Sequence, residues 1–221
     1  MNNKDLIKQY VNTGNGIPRE QFNQLNDNNK NSYLRVMLIS IKEDLKYVKY
    51  YYGELAEDVQ LAAVKQNGHV IQYIDNPSEE LQIEAVKENA YAIQYIKNPS
   101  EQVQLEAVKE DGYAIDYIKN PSEAVRIAAV TKDGRAIQYI NNPSEAVRVA
   151  AVKEYAFALK YINNPSERVQ MLAVKENGNL IYYIKNPSET VQIAAVTQNS
   201  QAITYIENPS EEVKLLVMGN R

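Results

Sequence analysis

Residues 98–119 read NPSEQVQLEAVKEDGYAIDYIK, and the rest of the chain keeps returning to that phrase. Asn-Pro-Ser begins at residues 76, 98, 120, 142, 164, 186 and 208, a spacing of 22 every time, and it takes seven of the eight prolines. The shared unit is NPSExVxLxAVKxNGxAIxYIx. A first copy starts near Glu54 without Asn-Pro-Ser, and the last, from Asn208, covers only the first helix of the unit. A period in this range is the signature of a repeat architecture, so it decides the fold before any single element does.

Each unit carries helix signals. Asn98 reads as an N-cap, Pro99 as the first helical residue and Glu101 as a carboxylate reaching back to the cap. Val103, Leu105, Ala107 and Val108 form a broad apolar stripe, and Asp111-Gly112 reads as the stop, the glycine taking the left-handed conformation. Ala90, Ala156 and Ser200 stand in that glycine column, so those turns are expected to close differently. A second, short helix follows from Tyr113 to Lys119, ended by the next Asn-Pro. The expectation is one helix of about 12 residues and one of about 6 per unit. Such a pair cannot bury its stripe alone, and stacking neighbours buries it. The identical Ala63, Ala85, Ala107, Ala129, Ala151, Ala173 and Ala195 mark where long helices approach closely. The fold class expected is all-α: an α-solenoid of about eight 22-residue two-helix repeats over residues 54–221, with an N-terminal helical cap over 1–53.

The unit resembles short helical repeats of uncharacterised bacterial and phage proteins, through the run Ala107-Val108-Lys109-Glu110-Asp111-Gly112-Tyr113-Ala114-Ile115-Asp116-Tyr117. More loosely it resembles leucine-rich repeat variant and HEAT-like solenoids. The resemblance covers roughly residues 54–221 and implies a binding scaffold without shared catalytic residues. For a phage-type repeat it implies an inhibitor of a host protein.

Composition narrows the chemistry. Without cysteine there is no disulfide, thiolate metal site or thiol nucleophile, and a single histidine cannot build a multi-histidine site. His69 has no partner motif and reads as an ordinary surface residue. The acidic column Glu79, Glu101, Glu123, Glu145, Glu167, Glu189 and Glu211 reads as helix capping. No catalytic residue, metal site or cofactor is therefore expected. No apolar run reaches bilayer length and the N-terminal residues are polar, so a cytoplasmic protein without membrane contact is expected.

Tyrosine is abundant. Tyr73, Tyr95, Tyr117, Tyr139, Tyr161, Tyr183 and Tyr205 are identical among copies, as packing demands of residues that meet the same neighbour each time. They are expected to be core or half-buried, each hydroxyl with a partner. Positions that meet a non-periodic partner are free to differ. The column His69, Tyr91, Tyr113, Arg135, Phe157, Asn179, Gln201 varies most, and three residues on it is joined by Gln72, Gln94, Asp116, Gln138, Lys160, Tyr182 and Thr204. Aromatic and arginine side chains at mid-stack are the composition of an interface anchor. Candidate partner-binding residues are thus Tyr91, Tyr113, Arg135, Phe157, Gln94, Asp116, Gln138, Lys160 and Tyr182.

Charge is uneven: residues 54–119 hold 5 Lys against 13 Asp+Glu, whereas residues 120–185 hold 9 Lys+Arg against 6 Asp+Glu. That bipolarity suits a protein partner. The alternative is a nucleic acid held by a basic face of Arg126, Arg148 and Arg168, although the excess is sparse for a dedicated groove. Val213, Leu215, Leu216, Val217 and Met218 in the last unit lack a following repeat, which suggests a homodimer through that end.

Overall fold

The structure, a computed structural model, describes residues 57–219; the expected cap over 1–53 lies outside the described residues. Every element among the described residues is helical. Eight α-helices are α1 (Glu57–Gln66), α2 (Glu79–Glu88), α3 (Glu101–Glu110), α4 (Glu123–Lys132), α5 (Glu145–Glu154), α6 (Glu167–Glu176), α7 (Glu189–Gln198) and α8 (Glu211–Gly219). Between them lie seven 3-10 helices: η1 (Gly68–Tyr73), η2 (Ala90–Tyr95), η3 (Gly112–Tyr117), η4 (Gly134–Tyr139), η5 (Ala156–Tyr161), η6 (Gly178–Tyr183) and η7 (Ser200–Tyr205). The fold is the α-solenoid that the period requires. The chain falls into two compact units, Met1–Ala107 and Val108–Arg221. In the first, α1 packs on α2 and η1 on η2; in the second, α4 to α8 pack in succession, each against the short helix before it.

The core repeats with the sequence. Each alanine of the column from Ala63 to Ala195 is fully buried, beside Val64, Val86, Val108, Val130 and their counterparts, and among the described residues no polar or charged residue is buried with them. The 3-10 helices add Ile93, Ile115 and Ile137 from inside and close with Ile96, Ile118 and Ile140.

The Asn-Pro-Ser-Glu phrase works differently from its sequence reading. Asn76, Asn98, Asn120, Asn142, Asn164 and Asn186 do not cap; they hold φ of 48–53°, the left-handed region. Asparagine enters that region more easily than most residues, and the following proline disfavours the right-handed alternative. The N-cap is the serine. Ser78, Ser122, Ser144, Ser166 and Ser188 accept from the backbone N–H three residues on, at 3.2–3.4 Å. Their neighbour glutamate does not reach back. It binds the next repeat: Ser166 Oγ donates to Glu145 at 2.5 Å and Ser188 Oγ to Glu167 at 2.7 Å, and Ser100–Glu79 and Ser144–Glu123 repeat the pairing. One hydroxyl therefore caps its own helix and joins it to the previous one. Ser166→Ala removes both bonds and is expected to cost about 1–2 kcal/mol, read from the urea midpoint. Glu145→Gln, which keeps an acceptor, should cost clearly less.

The glycine column also has a different cause. Gly68, Gly112, Gly134 and Gly178 show no left-handed φ; a Cβ on each would lie 2.3–2.5 Å from the carbonyl oxygen of Ala85, Ala129, Ala151 or Ala195 in the following repeat. They are glycine because two backbones nearly touch. Two of the three copies lacking glycine close in the same way, while the Ala156 copy keeps the backbone angles without the side-chain cap. Asn89 (φ −150, ψ 109) and Asn199 (φ −147, ψ 111) match Asp133 (φ −151, ψ 112). The α-helices span 10 residues rather than about 12, because Asn and Pro stay outside them.

Candidate partner-binding ridge

A 3-10 helix has three residues per turn, so side chains at i and i+3 eclipse. The two variable columns are three apart and fall on one edge of each short helix. That edge begins with a turn in which Asn67, Asn89, Asp111, Asp133, Asn177 and Asn199 accept, through a side-chain oxygen, the N–H two residues on.

In the first unit the edge carries His69 and Tyr91, both half-buried, with Gln94 exposed beside them. Gln72 and Gln94 donate to the carbonyls of His69 and Tyr91 at 3.0 and 2.9 Å, so their amides tie the short helix to itself. His69 is no ordinary surface residue. Its ring meets Tyr95 edge-on at 5.5 Å, and its buried Nε2 has no hydrogen-bond partner among the described residues.

The second unit carries the denser cluster. Arg135 is held by Asp133, Nε to Oδ1 at 3.0 Å and Nη2 to Oδ2 at 2.6 Å, while Asp133 also accepts the Arg135 N–H at 2.9 Å. The guanidinium lies 5.7 Å from the Tyr113 ring centre, and Tyr113 in turn meets Tyr139 edge-on at 5.6 Å. The Arg135 hydrogen bonds hold the Asp133 carboxyl below its usual value, and Asp133 in turn raises Arg135. Burial first, then the Asp133 charge, raises the Tyr113 hydroxyl. A depressed carboxylate stabilises above its unfolded value and loses that contribution as pH falls through the folded one. The clamp is thus complete at neutral pH and opens only in acid, below the usual carboxylate range. Gln138 donates to the Arg135 carbonyl at 3.1 Å, and Asp116 is exposed.

Further along, Lys160 lies 4.6 Å from the Tyr161 ring centre, and the hydrogen bond to that tyrosine raises its pKa. Tyr182 stands 66% exposed, edge-on to Tyr183 at 5.1 Å and Tyr205 at 5.6 Å. Phe157 is exposed and stacks on Tyr155 at 5.7 Å.

Two groups here escaped the sequence reading. Of the repeated tyrosines, Tyr73 and Tyr161 are half-buried as expected, but Tyr95, Tyr117, Tyr139, Tyr183 and Tyr205 are 38–46% exposed, and the Tyr139, Tyr183 and Tyr205 hydroxyls have no hydrogen-bond partner among the described residues. Tyr155 occupies the Asn/Asp cap column, and its repeat has no side-chain cap on the short helix. Its departure from that column was a legible signal. Tyr155→Asn should restore the cap and raise stability by about 0.5–1 kcal/mol while weakening partner capture. Parallel urea melts and capture assays check both.

The alternative basic face is divided. Arg126 and Arg148 are half-buried and donate through Nε to the carbonyls of Pro121 and Pro143 at 3.1 and 3.0 Å. Gln82, Gln104, Gln170 and Gln192 make the same bond to their own prolines at 2.8–3.1 Å. Arg168 is exposed at the start of α6, two positions earlier in its repeat than that column.

No family model, curated protein or solved structure matches the chain. The repeated helix pair therefore stands on the chain's own periodicity and geometry. No helix among the described residues is long and apolar enough to cross a membrane.

Proposed function

We propose that the protein is a non-enzymatic repeat scaffold that binds a protein partner through the ridge of its short helices. The observation that carries this is the exposed aromatic cluster of the second unit, where one repeat gives up a helix cap to stack Tyr155 on Phe157. Exposed aromatic rings cost solvation, and tyrosine with arginine supplies much of the energy of protein interfaces. The resemblance of the repeat to bacterial and phage repeats, and to leucine-rich repeat variant and HEAT-like solenoids, extends this reading to a cytoplasmic inhibitor of a host protein. Capture of partners on the immobilised chain, repeated from 50 to 500 mM salt, tests it. Retention of a protein with shallow salt dependence supports the reading. Capture of nucleic acid lost steeply with salt replaces it with binding through Arg126, Arg148 and Arg168.

Self-association accompanies this reading. On α8, Leu215 is 67% and Met218 70% exposed, at positions whose counterparts in earlier repeats are covered. A homodimer through that helix predicts a sedimentation coefficient that rises with concentration and returns to monomer in Leu215→Lys. A concentration-independent monomer overturns it.

A further inference from the structure

Between η5, η6 and η7 lies an open cavity of about 270 Å³ walled by Phe157, Tyr182, Tyr183 and Tyr205, with Asn177 and Asn179 as its polar groups. It is slightly smaller than the usual site for a drug-sized ligand, so it holds one or two side chains. No charged residue lines it.

The orientation of its amides follows from backbone donors alone. Gln201 N–H can only donate, so the Asn199 atom 3.0 Å away is Oδ1. Asn199 Nδ2 then points at Asn179 at 3.0 Å, which must present Oδ1. By the same logic Asn177 Oδ1 accepts the Asn179 N–H at 3.0 Å. Each oxygen already accepts one bond, and the donors left unpaired within the described residues are the Asn177 and Asn179 Nδ2 groups. The hydroxyls of Tyr182, Tyr183 and Tyr205 are unpaired as well. The cavity is thus a set of aromatic planes with two amide N–H donors, and phenol hydroxyls that donate or accept, at its edge.

That complement selects its occupant. A cation would be attracted by the rings but would meet the positive ends of two amides and no carboxylate. A purely aliphatic side chain leaves the donors without acceptors. An extended proline-bearing segment meets both demands. Its rings pack on aromatic faces, and its polyproline II backbone has no internal hydrogen bonds, so its carbonyls are free to accept. We propose that this cavity receives a proline-containing extended segment of the protein partner, with Tyr182 as the stacking platform and the Asn177 and Asn179 amides as donors to its carbonyls. The inference rests on the protein-partner reading and names what that partner presents.

The test titrates the full chain, with isotope-labelled tyrosine rings and side-chain amides, with blocked hexaproline, a trimethyl-lysine peptide and maltotriose as separate probes. The expected result is saturable shifts of the Asn177 and Asn179 amides and the Tyr182 ring with hexaproline. Tyr182→Ala, at an exposed site, should weaken that binding at least about tenfold. Asn179→Asp keeps an acceptor for Asn199 but turns the free donor into an acceptor. It should also weaken hexaproline about tenfold, and it should strengthen any ammonium binding. Absence of saturable hexaproline shifts, or preferential binding of either other probe at these residues, overturns the inference. Protein capture that stays sensitive to Tyr113→Ala/Arg135→Ala would still support the scaffold reading, so the two failures are distinguishable.

Discussion

Leucine in place of Ala129 is expected to lower stability by about 1–3 kcal/mol, and more if the backbone cannot yield. Ala129 is fully buried on α4, and its carbonyl oxygen is the atom that a Cβ on Gly112 would meet at 2.5 Å. Three more carbons must therefore enter a place where helix and turn of neighbouring repeats already touch through main-chain atoms. The next α-helix, α5, packs against α4, and Ala129 is fully covered, so the added volume meets neighbours already in place. Gln138→Ala provides the contrast, because that side chain is exposed and only ties η4 to its own carbonyl. It should cost under about 0.5 kcal/mol. Urea midpoints for the pair decide the matter, and equal tolerance would mean that the alanine column is not the contact between repeats.

Removing Tyr113 and Arg135 together is expected to weaken partner binding at least about 30-fold while the melting temperature barely moves. The two side chains act as one feature. Asp133 fixes the guanidinium in two bonds, and the guanidinium covers the Tyr113 ring, so the interface meets an anchored plane with little left to order. Stability should change little because Arg135 is exposed, and surface ion pairs contribute little to folding. Asp133 keeps its backbone bond to residue 135 in the double variant, so the turn survives. Isothermal titration and thermal melts on the same samples give both numbers. The repeated Tyr117, expected to be core or half-buried, is 45% exposed. Normal binding by the double variant, with loss on changing Arg126 and Arg148, would place the site on the α-helices instead.

The sequence by itself determined the helix pair, its period and its core. Ala63 to Ala195 are all fully buried, and so are the valines that follow them, because every copy faces the same neighbour and tolerates the same volume. The variable columns were legible as the positions that differ among otherwise identical copies. Their divergence did not reveal that His69, Tyr91 and Tyr113 are half-buried, or that His69 and Tyr113 pack on neighbouring rings. Only the tertiary structure decided what the identical polar and aromatic residues do. Asn-Pro-Ser-Glu looked like one local cap, yet Glu145 meets Ser166 across a repeat boundary, a contact set by how rigid units stack rather than by any signal within a unit. Gly68 and Gly112 looked like left-handed stops, but the backbone they must admit comes from the next repeat. The tyrosine column shows the limit most clearly. Identity in every copy has two causes, a shared packing environment or a shared surface, and a chain read in one dimension does not separate them. Packing between repeats separates them: Tyr95, Tyr139 and Tyr205 stay exposed, each edge-on to a variable-column ring of the repeat before it, His69, Tyr113 and Tyr182.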